Sequence, residues 1–183
     1  MQLHWEDLMH YSTLSSLHKE MQPGQRSGIY IWGFENEQKE FWPYYVGRAY
    51  SIPSRLVEHL VNLKGGNYRL YDPASLFVLS EPEPDPIYEP DTFDNKIRFL
   101  SGERPDWNAA AQNMISRFRF TYALVDNFKE KGDAAEKAIL NCFPGNLIVN
   151  TRIGKCPEGI NVGNLNDIIP EVWKKVAKQA TST

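Results

Sequence analysis

The sequence predicts an α/β fold with a small, mainly antiparallel three-stranded sheet flanked by helices, in the order β-β-α-β-α. Two segments rich in aromatic and β-branched residues, Gly28–Phe34 and Phe41–Arg48, lie six polar residues apart, as in a hairpin. A third such segment, Arg117–Phe128, starts with alternating aromatic residues. Between them, Ile52–Leu63 carries an apolar stripe at helical spacing.

The length of 183 residues allows one domain with an ordinary core. The hydrophobic fraction of 42% and the charged fraction of 23% are those of a globular protein. We expect residues 28–70 and 116–150 to form the centre of this domain. An N-terminal helical extension (1–27), an insertion (71–115) and a C-terminal extension (151–183) complete it.

Three features of the sequence predict a cytoplasmic location. No apolar run approaches the roughly 18 residues that cross a bilayer. The first residues lack the basic and apolar regions of a signal peptide, so we expect no membrane association. Cys142 and Cys156 form no metal-binding pattern and fit two thiols in a reducing compartment, with a disulfide as the alternative.

The elements around the hairpin follow from local signals. Residues 3–21 have apolar positions that favour an amphipathic helix. Pro43 in the second strand indicates an edge position or a bulge. Ser51 and Pro53 begin the next helix, and Lys64-Gly65-Gly66 ends it. The glycine pair is either a helix cap or a close approach of backbone amides to a phosphate.

The acidity of the chain is concentrated in the insertion, where residues 71–115 hold three basic and nine acidic residues. The remaining chain is free to present a positive face to phosphates. The run Glu81–Pro86 alternates acidic residues with proline and is expected to be extended. It is a solvated loop, a gate that repels DNA or a docking surface. Ala74–Ser80 favours an added strand, and 106–116 a helix.

The helix after the third strand raises two interpretations of Glu136. Asp133 and Glu136 have the spacing of a capping box, in which the glutamate only stabilises the start of the helix. Alternatively, Glu136 is a functional carboxylate. The chain closes with a predicted helix over Ile168–Ala180.

The ordered set of Gly28-Ile29-Tyr30, Tyr45-Val46-Gly47, Arg55 and Glu136 resembles the GIY-YIG nuclease family. That family has one strand with a GIY-type tyrosine and a second with a YIG-type tyrosine. A helix with an arginine follows, and a later helix carries a metal-binding glutamate. The resemblance covers residues 28–70 and 116–150.

The resemblance implies a metal-dependent DNA endonuclease that hydrolyses phosphodiester bonds. Glu136 would hold one Mg²⁺ (or Mn²⁺), and Arg55 would bind the non-bridging phosphate oxygens. Tyr30 would take the proton from the attacking water, and Tyr45 would orient the water or the phosphate. His59, four residues after Arg55 and so on the same helix face, would relay the proton or hydrogen-bond the phosphate.

Further residues are implied around this set. Arg48 and Lys64 are the expected contacts to DNA phosphates. The family also has an asparagine after the glutamate helix, for which Asn150 fits best by its apolar approach. Asn141 and Asn146 are the alternatives, because the spacing from Glu136 to Asn150 is longer than usual.

The resemblance leaves the biological role open. The expected form is a stand-alone restriction-type enzyme, with a homodimer that cuts both strands as one arrangement. The alternatives are a structure-selective DNA repair nuclease, an RNA nuclease, or a module that keeps the fold and binds nucleic acid or protein without cleaving.

Overall fold

The computed structural model describes residues 1–37, 39–72, 85–143, 157 and 159–168. Several sequence predictions fall outside these residues. They are the added strand over Ala74–Ser80, most of the Glu81–Pro86 run, Asn146, Asn150, Cys156 and nearly all of the closing helix. Among the described residues, no helix combines the length and apolar character needed to span a bilayer.

The described chain is a mixed α/β structure built on one antiparallel sheet with the strand order β1-β4-β2-β3. The strands are β1 (Met9–His10), β2 (Gly28–Glu35), β3 (Phe41–Ala49) and β4 (Phe118–Leu124). The helices are α1 (Leu14–Glu20), α2 (Ile52–Lys64), α3 (Phe93–Leu100), α4 (Pro105–Ser116), α5 (Phe128–Leu140) and α6 (Leu165–Ile168). The α/β class and the antiparallel pairing were predicted, but the fourth strand was not.

The N-terminal segment corrects the prediction of a helix over residues 3–21. Its α-helical part is only Leu14–Glu20, which follows a 3-10 turn at Tyr11–Thr13, and Met9 pairs with Phe120 at the edge of the sheet. Leu3 and Trp5 are both buried, which is the spacing of extended chain. The Leu3 amide donates to the Asn161 carbonyl at 2.9 Å, so this stretch gains hydrogen bonds that a short helix would not make.

The central hairpin agrees with the sequence, including the irregularity at Pro43. The register between β2 and β3 shifts after Trp32, where Gly33 is paired with Pro43. A Cβ at Gly33 would lie 1.8 Å from the Trp42 carbonyl oxygen, so the bulge needs glycine there. On the other side of this bulge, Trp32 is paired with Tyr45 and Tyr30 with Gly47.

The helix α2 lies against the sheet face that carries Trp32. The Trp32 ring packs 5.0 Å from the Phe118 ring and 5.2 Å from the imidazole of His59, measured between ring centroids. Leu56 and Leu63 are fully buried on the same stripe of the helix. This packing fixes the rotation of α2 about its axis, which in turn fixes where Arg55 and His59 stand.

The insertion is partly helical. Helix α4 confirms the helix predicted over 106–116, and Met114 and Trp107 are buried. Leu70 forms a bridge with Tyr88, and the Tyr88 hydroxyl donates to the Gly66 carbonyl at 2.8 Å. The described part of the insertion therefore packs on the end of α2.

Gly66 itself supports the helix-cap interpretation of the Lys64-Gly65-Gly66 run. Its φ of 65° is left-handed, and a Cβ there would lie 2.6 Å from the Phe99 ring. The backbone at this point is thus covered by protein on the side that a side chain would occupy.

Candidate active site

The site is built around Gly47, the cross-strand partner of Tyr30. A Cβ at Gly47 would lie 2.4 Å from the Tyr30 hydroxyl oxygen and 2.6 Å from the ring of Tyr45. Only glycine therefore lets both rings lie across β3 at this position. The two rings are nearly parallel, with centroids 6.2 Å apart.

His59 joins Tyr30 to a tyrosine that follows α2. Its Nε2 is 2.9 Å from the Tyr30 hydroxyl oxygen, and its Nδ1 is 2.8 Å from that of Tyr68. The Asn62 side-chain amide donates to the Tyr68 oxygen at 3.3 Å. His59 is only 1% exposed, so both ring nitrogens depend on these partners rather than on water.

The imidazole of His59 is neutral near pH 7. Burial, together with the charge of Arg55, lowers the pKa of His59 from 6.5 to about 3. A neutral imidazole has one N–H donor and one bare nitrogen. Of its two tyrosine partners, one must therefore donate to the ring and the other must accept from it.

Arg55 stands one turn before His59 and acts on both strand tyrosines. Its guanidinium forms an ion pair with Glu58, which is 58% exposed. Burial raises the pKa of Tyr30 and that of Tyr45, and the charge of Arg55 opposes each shift. Because burial is the larger effect, both phenols are protonated at neutral pH.

We call this group the α2 half of the site. Its members are Tyr30, Tyr45, Arg55, His59 and Tyr68. All of its members except Tyr68 are candidate residues named from the sequence. The contacts span β2, β3, α2 and the segment after α2.

A second group on β3 and α5, Arg48, Asp133 and Glu136, is named the α5 half. Arg48 Nε is 3.2 Å from a carboxylate oxygen of Glu136, and Arg48 Nη2 is 3.3 Å from one of Asp133. Asp133 also pairs with Lys137 at 2.7 Å. Burial raises the pKa of Glu136, and the charge of Asp133 adds to the rise against the opposing effect of Arg48.

The two halves adjoin at Tyr45. After burial, the charge of Glu136 is the next cause that raises the pKa of Tyr45. Arg55 acts on the same hydroxyl from the side of α2. The pKa of Tyr45 thus responds to the guanidinium of one half and to the carboxylate of the other.

The helix start excludes the capping-box interpretation of Glu136. Helix α5 begins at Phe128 with Asn127 as its N-cap, so Asp133 and Glu136 lie well inside it. The sequence prediction of a start at Asp133 was wrong because residues 128–132, with a buried Gly132, continue the helix. Gly132 lies against the Phe128 ring, where a Cβ would be 2.7 Å from the nearest ring atom.

The α5 half fits a divalent cation only as a largely hydrated ion. No group of three or more His, Cys, Asp or Glu side chains that could hold a metal occurs in the part of the chain the structure describes. Mg²⁺, however, is commonly held by one or two carboxylates together with water and substrate phosphate. The Glu136 side chain is 20% exposed, and burial disfavours the charged form of its carboxyl group. A bound cation would stabilise that charge.

Two further predicted residues lie away from this centre. Lys64 is exposed at the end of α2, about 14 Å along the helix axis from Arg55 at the usual rise per residue. Asn141 caps α5 and donates to the Lys137 carbonyl at 2.7 Å. Asn150, the preferred asparagine, lies outside the described residues.

Sequence reasoning missed Tyr68 and the structural need for Gly47. Gly47 had a signal, since a glycine inside a strand indicates a close approach of another group. Tyr68 had none, because its contact with His59 depends on how the chain turns back after α2.

No family model, curated protein or solved structure matches this chain. Its function must be argued from the geometry and chemistry of the site.

Proposed function

We propose that this protein is a metal-dependent DNA endonuclease that hydrolyses phosphodiester bonds. The observation that carries the proposal is that the Tyr30 and Tyr45 rings meet at Gly47, that Tyr30 is bonded to His59 on the helix that carries Arg55, and that the charge of Glu136 acts on Tyr45. Phosphodiester hydrolysis needs a proton acceptor for water, stabilisation of charge on phosphorus and neutralisation of the leaving oxygen. The two halves offer these groups side by side.

Arg55 is the phosphate-binding group of the proposal. Its guanidinium matches the oxygens of a phosphate with two parallel donors. In the resting protein it is paired with Glu58, a carboxylate that is more than half exposed. An exposed pair of this kind contributes little stability, so a DNA phosphate can replace Glu58.

Tyr30 and His59 form the proton-accepting pair. Burial raises the pKa of Tyr30, which makes a free tyrosinate costly. The neutral His59 beside it provides an acceptor for the phenol proton at the moment when the phenol takes one from water. Tyr45, whose pKa responds to both Arg55 and Glu136, orients the water or the phosphate.

Glu136 would hold Mg²⁺ or Mn²⁺, with Asp133 one turn earlier on the same helix face. When bound, the ion supplies Lewis-acid stabilisation of the phosphate and the leaving oxygen. Arg48 is paired with both carboxylates in the resting protein, and it can turn to a DNA phosphate once another cation compensates them. Lys64 would contact the DNA backbone farther along.

The test is cleavage of supercoiled plasmid and genomic DNA by the purified protein with Mg²⁺, with and without EDTA. We expect cleavage that is lost with EDTA and in Glu136→Ala. Glu130→Ala is the matched control, because Glu130 lies exposed on the same helix, six residues from Glu136. Equal activity in Glu136→Ala and Glu130→Ala would remove Glu136 from the site.

The products decide the finer role. Discrete fragments would support a restriction-type enzyme, and the oligomeric state would then show whether a homodimer cuts both strands. Nicking or smearing, or cleavage of RNA, would point to a structure-selective or less specific nuclease. Binding of nucleic acid or protein without any cleavage would replace the proposal with a binding module.

A further inference from the structure

Tyr68 is the one member of the α2 half to which no role has yet been given. Its hydroxyl oxygen is 2.8 Å from Nδ1 of His59 and accepts a hydrogen bond from the Asn62 side chain. Unlike His59, which is fully buried, Tyr68 is partly exposed. It therefore stands between the buried imidazole and solvent.

The surroundings of Tyr30 decide which nitrogen of His59 carries the proton. Tyr30 is 1% exposed, so its O–H has no access to water, and Nε2 of His59 at 2.9 Å is the acceptor that the structure gives it. Tyr68 is partly exposed, so its own O–H can point to water and leave its oxygen to accept from Nδ1. Nε2 is thus bare and the proton of the neutral ring is on Nδ1, where it is donated to Tyr68.

We propose that Tyr68 is a positioning residue whose hydroxyl oxygen holds His59 in the tautomer protonated at Nδ1, so that Nε2 can accept the proton of Tyr30. The inference rests on the proposed function, because only DNA cleavage requires Nε2 to accept the proton of Tyr30. It concerns a contact that the resting protein already makes, so the tautomer can be measured without DNA.

The proton path that follows is balanced at every group. The attacking water gives a proton to the Tyr30 oxygen as the Tyr30 proton passes to Nε2 of His59. The Nδ1 proton passes to the Tyr68 oxygen, and the Tyr68 proton leaves to bulk water. Each side chain gains one proton and loses one, so neither a tyrosinate nor an imidazolium has to form in the buried site.

The direct test is the ¹⁵N spectrum of the imidazole rings in protein labelled at histidine, with His59→Gln used to assign the His59 signals. We expect His59 to be neutral and protonated at Nδ1 in the wild-type protein without DNA. A His59 protonated mainly at Nε2 would overturn the inference.

Tyr68→Phe is expected to lose the preference for Nδ1 and to lower kcat for DNA cleavage at least about tenfold with little change in KM, as expected for a weakened proton transfer. Tyr88→Phe is the matched control. It also removes one buried phenol hydrogen bond, but that bond goes to the Gly66 carbonyl and not to His59. The control should keep the wild-type tautomer and kcat.

Asn62→Ala is the second variant if Tyr68→Phe fails to fold. It removes the donor that shares the Tyr68 oxygen with Nδ1, so we expect the Nδ1 tautomer to be kept, and a shift of the proton to Nε2 would overturn the inference. An Nδ1 tautomer retained in folded Tyr68→Phe would also overturn the inference while leaving nuclease activity intact. Absence of cleavage by the wild-type protein would instead overturn the proposed function, and with it the use assigned to the tautomer.

Discussion

In the α2 half of the site, Tyr30 and His59 are buried, and hydrogen bonds between neutral groups join Tyr30, His59 and Tyr68. The α5 half is charged, and Arg48 and Asp133 are both about half exposed. Buried hydrogen bonds are costly to break, whereas exposed ion pairs contribute little and exchange partners easily. Under the proposed function, we expect the hydrogen bonds of the first half to be formed before DNA binds and the ion pairs of the second half to rearrange around the substrate and the cation.

The largest loss of activity is expected on substitution of Arg55, the proposed phosphate-binding residue. Arg55→Ala should lower DNA cleavage at least about 10²-fold, the scale of losing a transition-state electrostatic donor. Arg69→Ala is the control, since Arg69 also carries exposed ion pairs but lies outside the site. Near-normal kcat in folded Arg55→Ala would exclude Arg55 from the mechanism.

The rigidity of the α2 half can be tested at Gly47. Gly47→Ala should lower the free energy of unfolding by about 1–3 kcal/mol, the usual cost of overpacking, and should also lower cleavage because Tyr30 and Tyr45 are displaced. Denaturant unfolding measures the first effect. Gly24→Ala, at a position with open space around it, is the control. Equal stability of the two variants would contradict the close approach at Gly47.

Neutral, buried His59 should make folding sensitive to acid. Its pKa is about 3 in the fold and 6.5 without burial, so between these values the unfolded chain binds a proton that the folded chain does not. The contribution of neutral His59 to the free energy of unfolding is then fully present above pH 6.5. It falls by about 1.4 kcal/mol for each pH unit of acidification towards pH 3.

Urea unfolding of the wild type and of His59→Gln between about pH 7 and pH 4.5 measures this slope. We expect a shallower slope in the variant, with His4→Gln, at an exposed position, as the control. The same slope in all three proteins would show that His59 is not held neutral by the fold.

The α5 half should show the opposite pH behaviour. Burial raises the pKa of Glu136, so the folded chain binds a proton more readily than the unfolded chain and the carboxylate costs stability at neutral pH. Glu136→Gln should therefore give a small rise in Tm at pH 7 while abolishing cleavage. The gain should fade as the pH falls towards the ordinary pKa of about 4.5 and be absent below it, where the wild-type carboxyl is protonated in both the folded and the unfolded chain. A lower Tm at pH 7 would mean that the ion pair with Arg48 outweighs burial.

The smallest effect is expected at Lys64, far along α2 from Arg55. Lys64→Ala should raise KM a few-fold and weaken the salt dependence of DNA binding by about one phosphate contact, with kcat unchanged. Titration of DNA binding against salt measures this. A large fall in kcat would place Lys64 nearer the chemistry than its position on the helix suggests.

Much of the framework was predictable because its signals are local. Proline and serine at the start of α2, glycine at its end and the aromatic strands of the hairpin act within a few residues, so pattern and propensity located them. The alignment of Arg55 with His59 follows from the helix repeat. These signals also indicated the candidate residues of the site on the correct elements.

The sequence alone therefore determined the hairpin, α2 and the residue types that can handle a phosphate. Tertiary structure decided the extended N-terminal segment, because burial of Leu3 and Trp5 and pairing with residues 159–164 outweigh a weak helical pattern. It also decided that Glu136 lies inside a helix rather than at its cap, and that Tyr68 meets His59. Such contacts join residues that are remote in sequence or set by the path of a loop, and no local preference encodes them.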